Sequence, residues 1–377
     1  MGEDVNRTSQ TQTNFPKVAI IILNWNSWKD TIECLESVFR IDYPNHQVIV
    51  VDNGSENDSV ERIKAWADGR QEVLTPEPTH PLYRLSHPPV QKPIPYIEYD
   101  RKTAEAGGIP ERERLLSDKL PKNIPHPLIL IETGENLGFA AGNNVGVKYA
   151  IEKSIDYICI LNNDTVVTSN FLTTLVATLK DLKVLGPVSP KILRDSRDKI
   201  IFYAGGWINT WSGRWGYIGY GKKDDSLLSG IHQSDFASGA CFVCAKDLFQ
   251  KIGLLDEDFF FSNEEMAFGI KAKKCGYIPV VNLDVVIYHK EGISYQNDSY
   301  FRRYFSTKYR LLCLRKYVDF PQKLLGYIFF IFSRIYKFFV YFKHGQGFLV
   351  KAEFKAIADF LRGRFGDYDR KKSNSKS

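Results

Sequence analysis

The residues best suited to chemistry follow short apolar strands, at the points where those strands end. Asn162 and Asp164 follow the apolar run YICIL, and a buried strand that ends in a carboxylate places it at the carboxyl edge of a sheet, where open α/β folds bind ligands. A hard divalent cation is typically held by one or two carboxylates together with substrate phosphates. We therefore expect Asp164 to bind a metal. The alternative is a turn aspartate that caps the next helix, for which Ser169 is better placed.

Two earlier apolar runs are followed by further polar side chains, namely Asn24 and Asn26 after VAIIIL, and Asp52 and Asn53 after HQVIVV. Strands that alternate with helices, each with polar residues at its carboxyl end, indicate a parallel α/β sheet. Such a sheet would bring Asn24, Asp52 and Asp164 to one edge. DNGS is also a plain turn sequence, but a helix follows it, so we favour a nucleotide-binding turn.

The glycine-rich stretch GENLGFAAGNNVG, at 134–146, lies between a strand and a helix. Glycine at such a turn lets the backbone approach a ligand closely. Close packing of the helix against the sheet is the alternative reason for these glycines.

Bulk properties limit the class of protein. The chain has 377 residues, 44% of them hydrophobic and 25% charged, which is an ordinary globular composition and enough for one large or two modest domains. Residues 323–377 carry 12 Lys and Arg against 4 Asp and Glu, whereas the rest of the chain is nearly neutral. This distribution argues against nucleic-acid binding and for one basic region near the C terminus.

The six cysteines lack the paired spacing of a zinc ribbon. Cys241 and Cys244 form a C-x-x-C, but no second pair stands nearby, and ACFVCA is typical of a buried strand. Reduced thiols fit a cytoplasmic protein, and the first residues have neither the basic nor the apolar region of a secretory signal. We therefore expect the protein on the cytoplasmic side.

Three stretches depart from the α/β pattern. Residues 69–127 hold 11 of the 17 prolines and predict little regular structure beyond a helix near 111–118, so they form either a functional element or a surface elaboration. The stretch 183–220 is rich in glycine, tryptophan and tyrosine and predicts antiparallel strands and turns. Its aromatic residues are suited to stacking on sugar rings and equally to packing within a sheet: Trp207, Trp211, Trp215 and Tyr217.

The third stretch is a helix at 323–342 that interleaves aromatic residues with Lys and Arg. Its longest uncharged run, 324–333, is shorter than the ~18 residues that a spanning helix needs. The pattern is typical of a helix lying in the interface of an anionic membrane, and packing onto its own domain is the alternative.

The motifs together give a specific resemblance. NWNSW, VDNGS, ENLGFAAGNN, LNNDT, SGACF, FFFSNEE and YH, in this order, resemble the inverting family 2 glycosyltransferases of the GT-A fold, and most of all their rhamnosyltransferase-like branch. The match runs from Val18 to His289 apart from the insertion. It implies an α/β GT-A fold with a mostly parallel central sheet flanked by helices, followed here by a helical C-terminal extension.

The resemblance also implies residue roles. The residues matching the nucleotide-sugar pocket are Asn24, Asn26, Asp52, Asn53, Gly138, Asn143, Asn144, Asn162, Ser238 and Gly239. Asp164 stands at the last position of the family's metal-binding D-x-D, with Asn162 in place of the first Asp. His289 matches a histidine that approaches the metal or the diphosphate. The implied cofactor is Mg²⁺ or Mn²⁺.

The family's E-D-x-D at the start of the acceptor-side helix reads Glu264, Glu265, Met266, Ala267 here. Glu265 therefore matches the general base, one methylene longer, and Glu264 is the substitute base. Ser262 and Glu265 also have the spacing of a capping box, so closing the helix is the alternative role of Glu265.

We expect a tail at 1–16, a GT-A domain at 17–298, a membrane-associating helical extension at 299–365 and a tail at 366–377. The expected function is transfer of a sugar, such as rhamnose or another hexose, from a UDP- or dTDP-sugar to a glycan or lipid-linked acceptor at the inner face of the cell membrane. A non-catalytic sugar-nucleotide or glycan-binding protein is the alternative, motivated by Glu265 and Ala267. A sugar nucleotidyltransferase is disfavoured because NWNSWKD supplies no glycine-rich basic loop.

Overall fold

The computed structural model describes residues 15–74, 76–118, 120, 126–181, 185–194, 197–224, 228–290 and 299–366, so most of both expected tails lies outside the described residues. The strands are β1 Val18–Asn24, β2 His46–Asp52, β3 Tyr96–Asp100, β4 Leu128–Glu132, β5 Tyr157–Asn162, β6 Thr165–Val167, β7 Leu185–Arg194, β8 Ile201–Tyr203, β9 Gly206–Asn209, β10 Arg214–Tyr217, β11 Ile231–Gln233, β12 Cys241–Ala245 and β13 Ile278–His289. The helices are α1 Trp28–Val38, α2 Ser59–Ala67, α3 Tyr83–Ser86, α4 Arg101–Glu105, α5 Pro110–Ser117, α6 Gly138–Ile151, α7 Phe171–Asp181, α8 Lys246–Ile252, α9 Glu264–Lys274, α10 Ser299–Tyr317, α11 Gln322–Lys343 and α12 Gly347–Leu361.

One eleven-stranded mixed sheet organises the chain, in the order β11-β13-β7-β12-β5-β1-β2-β4-β3, with β6 on β13 and β8 on β7. The five strands from β5 to β3 are mutually parallel. β12 runs antiparallel to β5 and β7. The expected mostly parallel sheet is therefore present, and the two strands β9 and β10 form a separate antiparallel hairpin.

The apolar strands fill two cores because successive side chains point to opposite faces of a sheet. Ile20 and Ile22 of β1 lie in the core beneath α1, whereas Ile21 lies in the core beneath α6. A β-carbon on Gly146 would come within 2.7 Å of Ile21, and one on Gly142 within 2.7 Å of Leu23. These glycines of α6 thus serve close packing of the helix on the sheet.

The proline-rich insertion contains more regular structure than its sequence predicts. β3 lengthens the sheet by pairing in parallel with β4, and α5 forms near the expected position. β3 alternates half-buried residues with the buried Ile97 and Tyr99, so it covers the sheet edge.

The C-terminal helices α10, α11 and α12 pack on one another. Within the 22-residue helix α11, a window of 18 residues has a mean hydropathy of 1.4, so the helix is long and apolar enough to cross a membrane by length and composition alone. One face of α11, with Gly326 and Phe330, is buried against the other helices, and the rest is largely exposed.

Candidate active site

The carboxyl ends of β1 and β2 meet in register, Asn24 beside Asp52, as the sequence predicts. The Asn24 amide donates to Asp52 Oδ1 at 2.7 Å, and the Ser55 hydroxyl donates to the same oxygen at 2.6 Å. The amide oxygen of Asn26 accepts from the backbone N–H of Glu56 at 2.8 Å, which ties the two strand-end loops together. Both loops are therefore fixed before any ligand binds.

A cleft opens beside Asp52 and is lined by carboxylates, namely Asp52, Glu56, Glu61, Glu132 and Glu135. Burial, the largest cause, raises the pKa of Glu132, and the neighbouring carboxylates raise it further. A pocket of this charge repels phosphate and accepts hydrogen bonds from N–H groups.

The other asparagines predicted for the nucleotide pocket in the first half of the chain, Asn53, Asn143 and Asn144, also form hydrogen bonds within the protein. Asn53 bonds to Asn136 at 3.0 Å and to the Gly138 carbonyl at 3.2 Å, so it holds the glycine-rich turn. Asn143 bonds back to Phe139 within α6, and Asn144 donates to Leu255 O at 2.9 Å. Both are fully buried, so the structure does not bring Asn143 and Asn144 to the carboxylate-lined cleft.

The end of β5 lies next to β1, with Asn162 paired with Leu23. β13 pairs antiparallel with β6, placing His289 opposite Thr165. His289 Nε2 consequently lies 3.0 Å from Asp164 Oδ1 and 3.5 Å from the Asn162 amide. The three residues expected around a metal are therefore neighbours, although 125 or more positions of chain separate His289 from the other two.

This arrangement fits a divalent cation in its donor chemistry. Two adjacent ligands of an octahedral Mg²⁺, each at about 2.1 Å, would lie about 3.0 Å apart, and the separation of the Asp164 and His289 donor atoms is 3.0 Å. Within the described ranges, no cluster of three or more His, Cys, Asp or Glu side chains could hold a metal by itself. A cation here would need further oxygen ligands, as a diphosphate supplies.

Glu264 and Glu265 begin α9 and are both buried. Burial is the largest cause that raises the pKa of each carboxyl, most strongly for Glu264, which also feels the charge of Glu265. A β-carbon on Gly239 would lie 3.4 Å from Glu264, so the Ser238–Gly239 loop borders the carboxyl pair. Ser238 itself is buried, and its backbone N–H donates to Ser189 at 2.8 Å.

The Ser262–Glu265 capping box is not formed, but backbone N–H groups of Asn263 and Glu265 at the start of α9 act on the Glu265 carboxylate and lower its pKa. Asn263, not Ser262, is the N-cap of α9, without a side-chain capping bond, and the Ser262 hydroxyl donates to the Asn263 side chain instead. Both residues have positive φ, 69° and 78°, a sparsely populated backbone conformation that shapes the turn before the carboxyl pair. Glu265 Oε2 is buried and has no hydrogen-bond partner among the described residues.

Sequence reasoning missed the contact between Tyr217 and Glu265, whose hydroxyl and carboxylate oxygens lie 3.3 Å apart. Tyr217 also packs 5.4 Å from the Phe202 ring, and Phe202 packs edge-on 4.7 Å from His289. Two aromatic rings thus connect the carboxyl pair to the Asp164–His289 pair. Trp215 packs against Tyr217 and Phe236, as the packing alternative predicts.

Trp207 and Trp211, by contrast, are exposed on the β9–β10 hairpin, where their rings are accessible for stacking on a ligand.

Cys241 and Cys244 lie fully buried in β12, which confirms the structural interpretation of the C-x-x-C. All six cysteines are within the described ranges and all are free thiols.

The chain is similar in sequence to two curated transferases. The chain is 24% identical over 205 residues to the dTDP-rhamnosyl transferase RfbF of Shigella flexneri, covering 50% of this chain and 63% of the relative. It is 25% identical over 154 residues to the low-salt glycan biosynthesis hexosyltransferase Agl10 of Haloferax volcanii, covering 38% and 46%. The chain therefore spans less than two thirds of either relative.

Two solved structures are similar to the chain at low sequence identity and with TM-scores below 0.5. The mannosyltransferase PcManGT from Pyrobaculum calidifontis, in complex with GDP-Man and Mn²⁺, is 13% identical with a TM-score of 0.48, covering 93% of this chain and 88% of that one. TarS 1-349 of S. aureus, in complex with UDP-GlcNAc, is 16% identical with a TM-score of 0.48, covering 92% and 81%.

The sequence model of the family described as glycosyl transferase family 2 matches residues 19–77 and 113–253, more than half of the chain. The gap in this match falls within the proline-rich insertion. The mostly parallel sheet, its flanking helices and the helical C-terminal region agree with the GT-A fold that the motifs predict. The chain thus belongs to glycosyl transferase family 2 and has the GT-A fold.

Proposed function

We propose that this protein is an inverting glycosyltransferase that moves a sugar, such as rhamnose or another hexose, from a nucleoside-diphosphate sugar to a glycan or lipid-linked acceptor. The proposal depends mainly on the burial and the raised pKa of Glu265 in a chain that belongs to glycosyl transferase family 2. Its carboxylate is buried and has a raised pKa, and its Oε2 atom has no hydrogen-bond partner among the described residues. Such a group is suited to accept a proton from an acceptor hydroxyl near neutral pH.

The donor's nucleoside fits the carboxylate-lined cleft at Asp52. The N–H groups of a nucleobase can donate to these oxygens, whereas phosphates would be repelled, so the diphosphate should point away along the sheet edge toward Asp164. Similarity to a dTDP-rhamnosyl transferase supports dTDP-sugars among the candidate donors, with UDP-sugars as the second class.

Asp164 and His289 would hold Mg²⁺ or Mn²⁺, with Asn162 beside them. Bound there, the cation would stabilise the negative charge of the departing nucleoside diphosphate. Both side chains are largely buried, which limits screening of their interactions by water.

In the proposed step, the acceptor oxygen attacks the anomeric carbon in line with the leaving diphosphate. The new C–O bond forms as the sugar–phosphate bond breaks, and the acceptor proton moves to Glu265. Glu264, whose pKa is raised more strongly, stays neutral and does not repel the charge on Glu265. The configuration at the anomeric carbon inverts because attack occurs from the opposite face.

We further propose that the extension rests on the inner face of the membrane. On α11 the apolar side chains point outward and a charged side chain points inward, which is the reverse of a helix on a soluble protein. The outward residues Phe332, Phe339 and Phe342 are 68%, 72% and 85% exposed. Arg334 faces inward and bonds to Glu353 of α12 at 2.6 Å. A helix fixed to its domain by one face favours lying in the interface over crossing the membrane.

Purified protein with Mn²⁺ and a panel of UDP-, dTDP- and GDP-sugars tests the function. We expect one donor class to raise the thermal midpoint, since ligand binding stabilises the native state, and to release nucleoside diphosphate when acceptor is added. Saturable binding without nucleotide release under any acceptor condition would instead support a non-catalytic sugar-nucleotide-binding protein.

A further inference from the structure

Four cations gather where α10 and α11 meet, and we call them the basic cluster: Arg303 and Arg310 of α10 with Arg334 and Lys337 of α11. They act on one another electrostatically, since Arg303, Arg310 and Arg334 all lower the pKa of Lys337. Neighbouring groups of like charge oppose folding unless an anion compensates their charge.

Among the described residues, Glu353 of α12 is the carboxylate in contact with the cluster. It bonds to Arg334 at 2.6 Å and lies 3.7 Å from Arg303. Within the described part of the chain, one fully buried carboxylate thus contacts this group of four cations. Arg310 donates to the Ser212 carbonyl at 2.5 Å, but its buried Nε has no partner among the described residues.

Burial and the neighbouring cations both affect the pKa values of the cluster. Burial, the largest cause, and then neighbouring Arg334 and Arg303 lower the pKa of Lys337 to about 8, with Glu353 only partly offsetting them. Burial and Arg334 likewise lower the pKa of Arg310 to about 10. An added anion would relieve both effects.

The cluster contacts both the helix of the proposed membrane face and the hairpin that leads to the carboxyl pair. Arg310 and Arg334 stack on the Phe330 ring of α11, whose neighbours Phe329 and Ile331 are exposed. On the other side, Arg310 holds the β9–β10 hairpin at Ser212. Strand β10 then spans about 10 Å, at about 3.3 Å per residue, from Arg214 to Tyr217 and so to Glu265.

We infer that the basic cluster binds the phosphate or diphosphate group of a lipid-linked acceptor, whose lipid chain lies along the apolar face of α11. Guanidinium groups pair with phosphate oxygens through two parallel hydrogen bonds, and a lysine adds a point charge. The acceptor sugar would then extend along the hairpin toward Glu265. This inference rests on the proposed transfer to a lipid-linked acceptor and assigns its anchoring site.

Vesicle flotation tests the site with the full-length protein. One vesicle type is phosphatidylcholine with a polyprenyl diphosphate, and the other is phosphatidylcholine with phosphatidylserine at equal negative charge. We expect wild type to prefer the polyprenyl diphosphate vesicles, and Arg310→Gln and Lys337→Gln each to weaken that preference about tenfold. Lys343→Gln, an exposed lysine at the end of the same helix, should keep it.

Free inorganic pyrophosphate separates the possible sources of the anion. If pyrophosphate displaces wild type from the vesicles, the diphosphate group alone is recognised. If wild type stays bound, the lipid chain is also needed for recognition. Both outcomes support the site. Equal binding to both vesicle types, or equal behaviour of Lys337→Gln and Lys343→Gln, would overturn it.

Two further readouts on the same variants separate this inference from the proposed function. Their thermal midpoints identify any loss caused by unfolding, and Lys337→Gln leaves the Arg334–Glu353 pair intact. The second readout is donor hydrolysis without acceptor, for which wild type is the reference. If wild type hydrolyses donor but shows no preference for the diphosphate vesicles, the basic cluster is not the acceptor-binding site and the proposed function still stands. If wild type binds no donor, the proposed function itself is wrong.

Discussion

The Tyr217 hydroxyl donates a hydrogen bond to Oε1 of Glu265 across 3.3 Å, and the two residues are 48 positions apart in the chain. Burial beside the carboxyl pair raises the pKa of Tyr217 well above its ordinary value of 10.0, so the phenol stays protonated and acts as donor. The bond orients Glu265 and leaves Oε2 for the acceptor.

Tyr217→Phe should therefore change the pH dependence of transfer. The Tyr217 hydrogen bond lowers the pKa of Glu265, so its loss raises that pKa and reduces the fraction of active carboxylate, most at low pH. We expect the acidic limb of the kcat/KM profile to move up by as much as about one pH unit. Tyr220→Phe, which alters an exposed ring of the same aromatic group, should leave the profile in place. Uniform loss at all pH values would indicate a packing role only.

Glu264→Gln should stabilise the protein in alkali. In the folded protein the pKa of Glu264 is raised well above its ordinary value of 4.5. The protonated Glu264 carboxyl therefore contributes its full stabilisation below about pH 4.5, and this stabilisation is lost as the pH rises through the folded pKa. Glutamine avoids that loss, so the difference in thermal midpoint in favour of the variant should grow between pH 5 and pH 9. The exposed Glu111→Gln supplies the control. A difference independent of pH would contradict a neutral Glu264.

Asp164→Asn should abolish metal-dependent donor turnover, because the carboxylate provides the charge at the proposed cation site. Titration of Mn²⁺ followed by electron paramagnetic resonance should give affinity at least ~10-fold weaker than wild type. Asp156→Asn, at the opposite end of β5 and exposed, should bind and turn over normally. Full activity of wild type in excess chelator would refute the metal role.

Phe332→Asp together with Phe339→Asp should release the protein from anionic vesicles. Both rings lie on the outward apolar face of α11, and charged groups there would have to enter the interface. The matched control is Leu115→Asp, which changes an exposed apolar residue of α5 in the insertion. Unaltered flotation of the double variant, with normal folding, would exclude α11 as the contact.

The sheet edge was predictable because its signals are local. Each buried run ends where polar residues begin, and parallel strands carry those ends to the same side, so Asn24, Asp52 and Asp164 could be grouped from their strands alone. The orientation of Asn143 and Asn144 on α6 could not be obtained this way, since it depends on how the helix rotates against the sheet and on Leu255, far along the chain.

Two other features depended on tertiary structure in the same manner. β3 forms within a proline-rich stretch because β4 offers a free edge, which the composition of the insertion does not reveal. The sequence of α11 gives the positions of Arg334 and Lys337, but only packing against Glu353 shows that the charges face inward and the aromatic rings outward.

The most direct test of the central claim is acceptor-dependent release of nucleoside diphosphate by wild type and Glu265→Gln, with donor binding measured in parallel. We predict that the variant binds donor as wild type does but loses transfer by about 100-fold or more, as expected for removal of a general base. Transfer at the wild-type rate by Glu265→Gln would contradict the account.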